Sequence, residues 1–284
     1  MQECTLVIGG RGMRLVGEGS LPLVMSVPGM AQFEVPGAQV DMTVWLDTPI
    51  HRPACNLCHT FKAINDQMEC RFGIDAEGVY YYVLGHVGAL RFDARCPKEV
   101  QITPIRNNAV ARFMLWNAYS MMGLWQGVVP VHSSTVVKEG RAVLCLGESG
   151  TGKSTHTRLW MENIPGSELL NDDSPIVTID EGVPTVYGSP WSGKTDCFRT
   201  DRYPIAALLR LEQKPDNSIR RLPILEAFAA LHPSCPPSHS HESRCLDRVT
   251  DFVGEVVSRT PVFRLGCLPN REAALLSYKT IFNA

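Results

Sequence analysis

A glycine-rich octapeptide, Gly147 to Ser154, carries the clearest chemical signal in this sequence. It reads GESGTGKS, follows the apolar run Ala142 to Leu146 and precedes a helix-competent segment from Thr155 to Asn163. This is the strand, loop and helix setting of a P-loop. Its glycines let successive backbone N–H groups turn toward a polyphosphate, and the positive N-terminus of the helix favours anions. The octapeptide therefore predicts nucleotide binding.

The P-loop pattern also predicts the function of individual side chains. Lys153 can reach the terminal phosphates, and the Ser154 hydroxyl can hold Mg²⁺. ATP and Mg²⁺ are therefore the expected cofactors. The residues expected to contact the nucleotide are Gly147, Ser149, Gly150, Thr151, Gly152, Lys153, Ser154 and Thr155.

A pair of carboxylates, Asp172 and Asp173, ends the short apolar run Leu169-Leu170 about twenty positions after Lys153. A strand that returns directly after the P-loop helix would bring both carboxylates to the edge of the phosphate site. There, one carboxylate can hold Mg²⁺ and the other can take a proton from an incoming hydroxyl. Paired aspartates also occur in solvated turns, so this interpretation depends on the neighbouring P-loop.

A second glycine-rich segment, GSPWSGK from Gly188 to Lys194, is followed by Arg199 and Arg202. It is expected to close over the phosphates or the acceptor, where cations offset transferred charge. A tight turn with solvated cations is the alternative. On the first interpretation, Lys194, Arg199 and Arg202 bind the substrate.

The order of these segments resembles a known family. His132 just before a strand, then GESGTGKS, LLNDD and GSPWSGK, is similar to the catalytic domain of HPr kinase/phosphorylase and its distant relatives with the phosphoenolpyruvate carboxykinase nucleotide fold. The resemblance covers roughly Val131 to Leu211. It implies an α/β (α+β) P-loop domain of mixed sheet and helices that phosphorylates a hydroxyl group.

The resemblance also implies roles for single residues. Lys153 and Ser154 would serve the phosphates and the metal, Asp172 would be the general base and Asp173 a metal ligand, and His132 would lie near the phosphates. The EVRGLG-type stretch with which that family recognises HPr has no counterpart here. The expected acceptor is therefore a hydroxyl on a small anionic molecule or on a peptide other than HPr.

Three classes of function fit these observations. The first is a kinase, which the carboxylate pair favours. The second is a nucleotide-binding or ATP-hydrolysing regulator whose β-rich region docks a partner. The third is a phosphoenolpyruvate carboxykinase-like lyase, although no pocket for a dicarboxylate is visible in the sequence.

The rest of the chain predicts two domains: a smaller β-rich domain over residues 1–105 and the P-loop domain over residues 106–284. In the first, short apolar runs alternate with Gly, Pro and Asp, and Asp75 to Gly78 has the composition of a hairpin turn. The expected strands there are Thr5 to Ile8, Val40 to Leu46, Cys70 to Ile74, Val79 to Leu84 and Ala89 to Phe92. This β-rich region is expected to help shape the acceptor pocket.

The expected elements after the P-loop helix are mixed. The strands are Glu168 to Leu170, Ile176 to Ile179, Thr185 to Tyr187, Ile205 to Leu211 and Val262 to Leu265, and the helices are Leu222 to Leu231, Cys245 to Arg259 and Asn270 to Asn283.

The segment Asn107 to Gln126 has apolar residues at helical spacing, and no charged residue occurs from Phe113 to Val131. A membrane span is one interpretation, but polar residues such as Asn117 and Ser120 interrupt the segment. A buried helix is favoured, with the domain boundary just before it.

The composition of the chain limits the classes of binding partner that we expect. The net charge is -2, with charged residues at 20% and a pI near 6.4, so the chain has no basic field for nucleic acid. Ten cysteines and the absence of a signal-peptide core before the first arginines predict reduced thiols in the cytoplasm, with neither a nucleic-acid nor a membrane partner. A homo-oligomer is compatible with the sequence.

Two clusters of cysteine and histidine invite a metal interpretation. The first is HRPACNLCH, residues 51–59, whose CNLCH pattern matches haem c attachment or part of a zinc site. The second is HPSCPPSHSHESRC, residues 232–245. Neither has the spacing of a complete zinc site, so ordinary thiols and an exposed connecting loop are favoured.

Overall fold

The computed structural model describes residues 1–51, 57, 59–64, 67–193 and 195–283. The chain divides into two compact units, Met1–Gln126 and Gly127–Ala284. Each unit combines a mixed β-sheet with helices, so the expected mixed class of α and β structure is confirmed.

The described part of the first unit contains an eight-stranded sheet and two α-helices. The sheet has the order β1-β2-β3-β8-β7-β6-β5-β4; its β2–β3 and β3–β8 pairs are parallel and the others antiparallel. The elements are β1 (Gln2–Ile8), β2 (Arg11–Gly17), α1 (Leu21–Met25), β3 (Met42–Trp45), β4 (His59–Ala63), β5 (Met68–Ile74), β6 (Val79–Leu84), β7 (Gly88–Asp93), β8 (Glu99–Ile102) and α2 (Asn108–Trp125).

The hairpin predicted at Asp75 to Gly78 is confirmed and joins β5 to β6. Asp75 Oδ1 accepts hydrogen bonds from the backbone N–H groups of Glu77 and Val79, and Gly78 has φ 83°. The side chain of Asp75 thus closes the turn and sets the register of the two strands.

Helix α2 packs on the sheet of the first unit. The Tyr119 hydroxyl donates to the carbonyl of Ile8 at 2.9 Å, and the Tyr82 hydroxyl lies 3.2 Å from the Met121 sulfur. The helix therefore belongs to the N-terminal unit, whereas the sequence pattern placed the boundary before it, after residue 105. The difference arises because helical periodicity shows that a face is buried, not which sheet covers it.

Polar residues inside α2 bond to its own backbone. Asn117 Nδ2 donates to the carbonyl of Phe113, and Ser120 Oγ donates to that of Trp116. None of the helices in the described ranges is long and apolar enough to cross a membrane.

The second unit is built on a nine-stranded sheet in its described residues. Along the main path the order is β12-β10-β11-β15-β14-β13-β9, and β17 pairs with both β15 and β16. The strands are β9 (Val128–Pro130), β10 (Ser133–Lys138), β11 (Arg141–Leu146), β12 (Glu168–Asp173), β13 (Ile176–Asp180), β14 (Val183–Tyr187), β15 (Arg202–Gln213), β16 (Ser218–Arg221) and β17 (Val262–Cys267). The helices are α3 (Lys153–Asn163), α4 (Ile224–Leu231), α5 (Ser243–Arg259) and α6 (Arg271–Phe282).

Strand β15 has twelve residues and pairs with strands in two parts of this sheet. Its beginning pairs antiparallel with β14, and its later part runs parallel to β11 and β17. The core beside α3 and α6 consists of Val136, Val143, Cys145, Trp160, Ile164, Leu209, Leu211, Leu265 and Ala274. This core holds the C-terminal end of β11, where the P-loop begins.

Candidate active site

The predicted P-loop connects β11 to α3, and its path depends on glycine. Gly147 has φ 152°, and Gly152, at the N-cap of α3, has φ 101°. A Cβ on Gly147 would collide with the side chain of Thr151, whose hydroxyl donates to the Glu148 carbonyl at 2.8 Å. Residues with a Cβ adopt positive φ only at a cost. Glycine at both ends of the loop therefore allows the backbone to curl in front of the helix.

Lys153 lies inside this loop, in the first turn of α3, and is largely buried. Its Nζ donates hydrogen bonds to the carbonyls of Gly147 at 2.8 Å and Glu148 at 3.0 Å, and it lies 2.9 Å from Nε2 of His132. Burial lowers the pKa of the Lys153 ammonium, and the carboxylates of Asp173 and its neighbour oppose that shift. A cation is thus held at the centre of the loop.

His132 lies in the short connection between β9 and β10. Its backbone N–H donates to the carbonyl of Ser234 at 2.7 Å, and its Nδ1 lies 3.2 Å from an oxygen of Asp173. Because the Lys153 ammonium can only donate, Nε2 accepts their hydrogen bond and the ring proton resides on Nδ1. The Nδ1 side of the ring lies against the Asp173 carboxylate. Lys153, His132 and Asp173 therefore lie together in one polar cluster.

The two carboxylates at the end of β12 have different partners. Asp172 is nearly fully buried, and the Ser154 hydroxyl donates to its Oδ1 at 2.8 Å. Adjacent residues of a strand face opposite sides of the sheet, which places Asp173 with His132 instead. The family resemblance implies that the P-loop serine and Asp173 are the metal ligands, whereas the Ser154 hydroxyl bonds to Asp172 in the structure.

The GSPWSG segment lies directly beside the carboxylate pair. The N–H of Gly193 donates to the carbonyl of Asp172 at 2.5 Å, and Ser192 forms a β-bridge with Asp173. A Cβ on Gly193 would press against that same Asp172 carbonyl. The segment therefore forms a wall next to the carboxylates.

Asn171 anchors this wall from the strand side and is fully buried. Its Nδ2 lies 3.3 Å from the Ser189 carbonyl and hydroxyl and from the Trp191 carbonyl, and its Oδ1 accepts from the N–H of Ser174 at 3.0 Å. One amide thus ties the end of β12 to the turn at Ser189. The sequence pattern indicated the carboxylates but not this amide, although it directly precedes them.

Arg199 and Arg202 are not brought to the P-loop. Arg199 pairs with Glu168 at 2.8 Å and Asp201 at 2.9 Å. Glu168 begins β12, so it lies about 16 Å along the strand from the carboxylate at its end, at about 3.3 Å per residue. Arg202 donates to the Tyr187 hydroxyl at 2.9 Å and lies 3.6 Å from Asp180. Both charges are matched by carboxylates, which the sequence pattern does not show. Lys194 lies outside the described residues.

Arg210 reaches the P-loop, although the sequence interpretation passed over it. It pairs in register with Leu146, the residue before the loop, and its guanidinium lies 3.8 Å from a carboxylate oxygen of Glu148. Gln213, three residues further, donates to the Gly150 carbonyl at 3.1 Å. The sequence contains one signal that points to Arg210: it is a charged residue within the apolar run of β15. Buried strands rarely carry an arginine that has no partner.

The second cysteine and histidine cluster is folded into the second unit. Cys235, His239 and Cys245 are buried, and short 3-10 turns occupy His232–Ser234 and Pro237–His241. Among the described residues, no group of three or more His, Cys, Asp or Glu side chains is arranged to hold a metal ion. The segment is an ordered connection and not the exposed loop that its composition predicts. In the first cluster, Cys55 and Cys58 lie outside the described residues.

Comparison with known proteins gives little on this chain. No protein-family model matches it, and no curated protein matches it either. Among solved structures it is similar to the HPr(Ser) kinase/phosphatase from Coxiella burnetii, over 54% of this chain and 88% of that one, at 14% sequence identity and a TM-score of 0.34. A similarity of that extent does not bear on the chemistry of the site.

Proposed function

We propose that this protein is an ATP-dependent kinase that transfers the γ-phosphoryl group to a hydroxyl of a small-molecule or peptide acceptor. The observation that carries the proposal is the convergence of two pairs at one P-loop. The Ser154 hydroxyl bonds to Asp172, and His132 bonds to Lys153 and lies 3.2 Å from Asp173. A donor site and a proton acceptor are the two parts that phosphoryl transfer to a hydroxyl requires.

The donor end consists of the P-loop and Lys153. Backbone N–H groups at the start of α3 and the ammonium group at the centre of the loop suit the negative oxygens of a triphosphate. Phosphate oxygens can take over the hydrogen bonds that Lys153 gives to the carbonyls of Gly147 and Glu148. The bound nucleotide is therefore proposed to be ATP, with its terminal phosphate near Lys153.

Ser154 and Asp172 fit a magnesium ion. The Ser154 hydroxyl and Asp172 Oδ1 lie 2.8 Å apart at the N-terminus of α3, and hydroxyl and carboxylate oxygens are the ligands that Mg²⁺ takes beside nucleotide phosphates. When bound, Mg²⁺ neutralises charge on the phosphate oxygens. We therefore assign the metal to Ser154 and Asp172.

Asp173 then acts as the general base. His132 Nδ1 lies 3.2 Å from one carboxylate oxygen and helps to orient the group beside the P-loop. The acceptor hydroxyl transfers its proton to Asp173 as its oxygen bonds to the γ-phosphorus, while the bond from that phosphorus to the bridging oxygen of ADP breaks. The charge left on the ADP oxygens is stabilised by Lys153.

The acceptor is proposed to be a small molecule or a peptide other than HPr. The chain lacks the EVRGLG-type stretch, and the wall formed by Ser192 and Gly193 stands beside Asp173. Two of the three cations expected to bind an acidic acceptor, Arg199 and Arg202, are already paired with carboxylates. Neither of these two arginines therefore requires a strongly negative acceptor.

The proposal is tested with purified full-length protein, γ-labelled ATP, Mg²⁺ and a panel of hydroxyl compounds, hydroxyl-bearing peptides and HPr. We expect label on one acceptor other than water, and labelling about 10²- to 10⁴-fold slower with Asp173→Asn. The variant Asp216→Asn is a matched control, because Asp216 lies in the exposed turn before β16. Transfer of label only to water would instead indicate an ATP-hydrolysing regulator, and efficient labelling of HPr would contradict the proposed acceptor.

A further inference from the structure

One row of residues crosses the sheet of the second unit at the base of the P-loop. Asp173 on β12 is in register with Ser133 on β10, Ser133 with Leu146 on β11, and Leu146 with Arg210 on β15. Side chains of residues in register lie on the same face of a sheet. Asp173 and Arg210 therefore share a face, on opposite sides of the residue from which the loop departs.

The two ends of this row differ in chemistry. Asp173, with its His132 partner, marks the end where the phosphoryl group is transferred. Arg210 lies three strands away, about 14 Å at about 4.8 Å per strand. A nucleotide whose terminal phosphate lies near Asp173 can extend its remaining phosphates toward Arg210.

Arg210 has a different kind of charge partner from the other arginines in the row. Register continues from Arg210 to Arg264 on β17 and Arg220 on β16. Arg264 lies 3.3 Å from Glu212 and 3.6 Å from Glu226, and Arg220 is paired with Glu226 as well. These two arginines therefore neutralise carboxylates away from the loop.

The carboxylate beside Arg210 belongs to the P-loop itself. Its guanidinium lies 3.8 Å from Glu148, whose side chain is 85% exposed, whereas that of Arg210 is 20% exposed. A contact of that length to an exposed, solvated carboxylate is weak. A largely buried guanidinium at the mouth of an anion-binding loop thus has a partner that is easily exchanged.

We propose that Arg210 binds the phosphate of the nucleotide nearest the nucleoside and exchanges Glu148 for it when the nucleotide binds. This inference rests on the proposed function and extends it to a residue on another strand. A guanidinium offers two parallel N–H donors to phosphate oxygens, which suits a stationary phosphate that does not transfer. Arg210 is then a binding residue for ATP and ADP. It does not contact the terminal phosphate, where the reaction takes place.

The test measures Mg-ADP binding to full-length protein by titration calorimetry. We expect Arg210→Met to weaken binding of Mg-ADP roughly ten- to a hundredfold, the range for a hydrogen bond to a charged group. Arg210→Lys should recover part of that loss, and Arg220→Met, which removes an arginine of the same row away from the loop, should bind like the wild type. Adenosine, which has no phosphate, should not distinguish Arg210→Met from the wild type.

The outcomes separate this inference from the proposed function. Wild-type protein that does not bind Mg-ADP contradicts both. Wild-type protein that binds, together with Arg210→Met that binds equally well, contradicts only the role of Arg210. If Arg210→Met does not fold, phenylglyoxal modification of wild-type arginines, read by mass spectrometry, replaces it: Mg-ADP should protect Arg210 and leave Arg220 reactive, and equal reactivity of Arg210 with and without Mg-ADP overturns the assignment.

Discussion

Lys153 is the residue on which the proposed nucleotide binding depends most directly. Its ammonium is the buried cation at the centre of the P-loop, so Lys153→Ala should weaken Mg-ADP binding by roughly a hundredfold, as expected for the loss of a charged hydrogen-bond donor. Titration calorimetry measures the affinity, and circular dichroism checks the fold. Lys214→Ala is the matched control, because Lys214 is half exposed and pairs with Glu212 on β15. Normal nucleotide binding by folded Lys153→Ala would remove the basis of the P-loop interpretation.

The carboxylate pair provides a second prediction, since its members have different partners. Asp172→Asn should raise the Mg²⁺ concentration needed for activity, because it weakens the ligand beside Ser154. Asp173→Asn should bind Mg-ATP normally and slow phosphoryl transfer by about 10²- to 10⁴-fold, the usual contribution of a general base. Magnesium titrations and label-transfer rates measure the two effects.

Three results of that experiment are distinct. The expected pattern supports the metal at Asp172 and the base at Asp173. The reverse pattern would restore the assignment implied by the family resemblance. Equal and mild effects in both variants would place the pair outside the active site.

Single residues of the site could be predicted from sequence only where the pattern is local. The P-loop lysine and serine are specified by neighbours within eight positions, and the aspartates follow on the next strand. The pairing of Asp172 with Ser154, and of Asp173 with His132, depends on which face of β12 each side chain occupies, and spacing along the chain does not determine this. Arg210 was missed because its proximity to the loop arises from the parallel pairing of β15 with β11.

At the scale of elements, α3 and α6 are joined by a buried polar contact that predicts a dependence of stability on pH. His156 Nε2 lies 3.1 Å from the Ser277 hydroxyl, and Trp160 Nε1 donates to that hydroxyl at 2.9 Å. Burial lowers the pKa of His156 from 6.5 to about 4. The folded protein therefore binds fewer protons at this site than the unfolded chain between those two values.

The free energy of unfolding should consequently be highest above about pH 6.5 and fall as the pH drops toward 4, below which both states are protonated. The contribution of His156 to this loss is on the order of 3 kcal/mol, since one pKa unit corresponds to about 1.36 kcal/mol. Urea unfolding at a series of pH values measures it, with His156→Gln as the variant that lacks the titrating group. An equally steep loss in His156→Gln would show that the effect comes from elsewhere.

The turn after β14 gives a steric prediction. A Cβ on Gly188 would overlap the carbonyl of Arg199, so Gly188→Ala should destabilise the protein by about 1 to 3 kcal/mol, as other insertions into close-packed sites do. Gly254 in α5 is the matched control, because a Cβ there meets no atom within 4 Å. Gly254→Ala should stabilise by about 0.5 to 1 kcal/mol, the usual helix preference for alanine. Thermal denaturation compares the two, and a neutral Gly188→Ala would contradict the close approach.

Elements with strong local signals were predicted well. The strand at Val79–Leu84 matches the apolar run, and the helices that begin near Asn107, Cys245 and Asn270 differ from the expected ones by at most two residues at each end. Strands such as Arg11–Gly17 and Ser218–Arg221 were missed, because charged residues interrupt the alternation of apolar and polar side chains along them. Their pairing with neighbouring strands, which spacing does not encode, makes them strands.

At the scale of the whole molecule, the division after Gln126 predicts where nucleotide binding resides. The P-loop, His132, the carboxylate pair and Arg210 all belong to residues 127–284, which have their own sheet and core. A fragment of these residues should therefore bind Mg-ADP with the affinity of the full chain. Calorimetry on both proteins, after circular dichroism has shown that the fragment folds, makes the comparison. A folded fragment that does not bind would mean that the first unit is needed for the nucleotide site.

The buried amide of Asn171 has a consequence for any survey of substitutions across the whole chain. Each polar atom of this amide is matched to a group on the turn at Ser189 or to the Ser174 N–H, so neither Asp nor Leu can replace it without leaving a buried group unsatisfied. A deep mutational scan scored by function alone would rank Asn171 as intolerant as Lys153. A parallel scan scored by abundance should separate them, because Lys153 variants would accumulate as folded protein and Asn171 variants would be depleted.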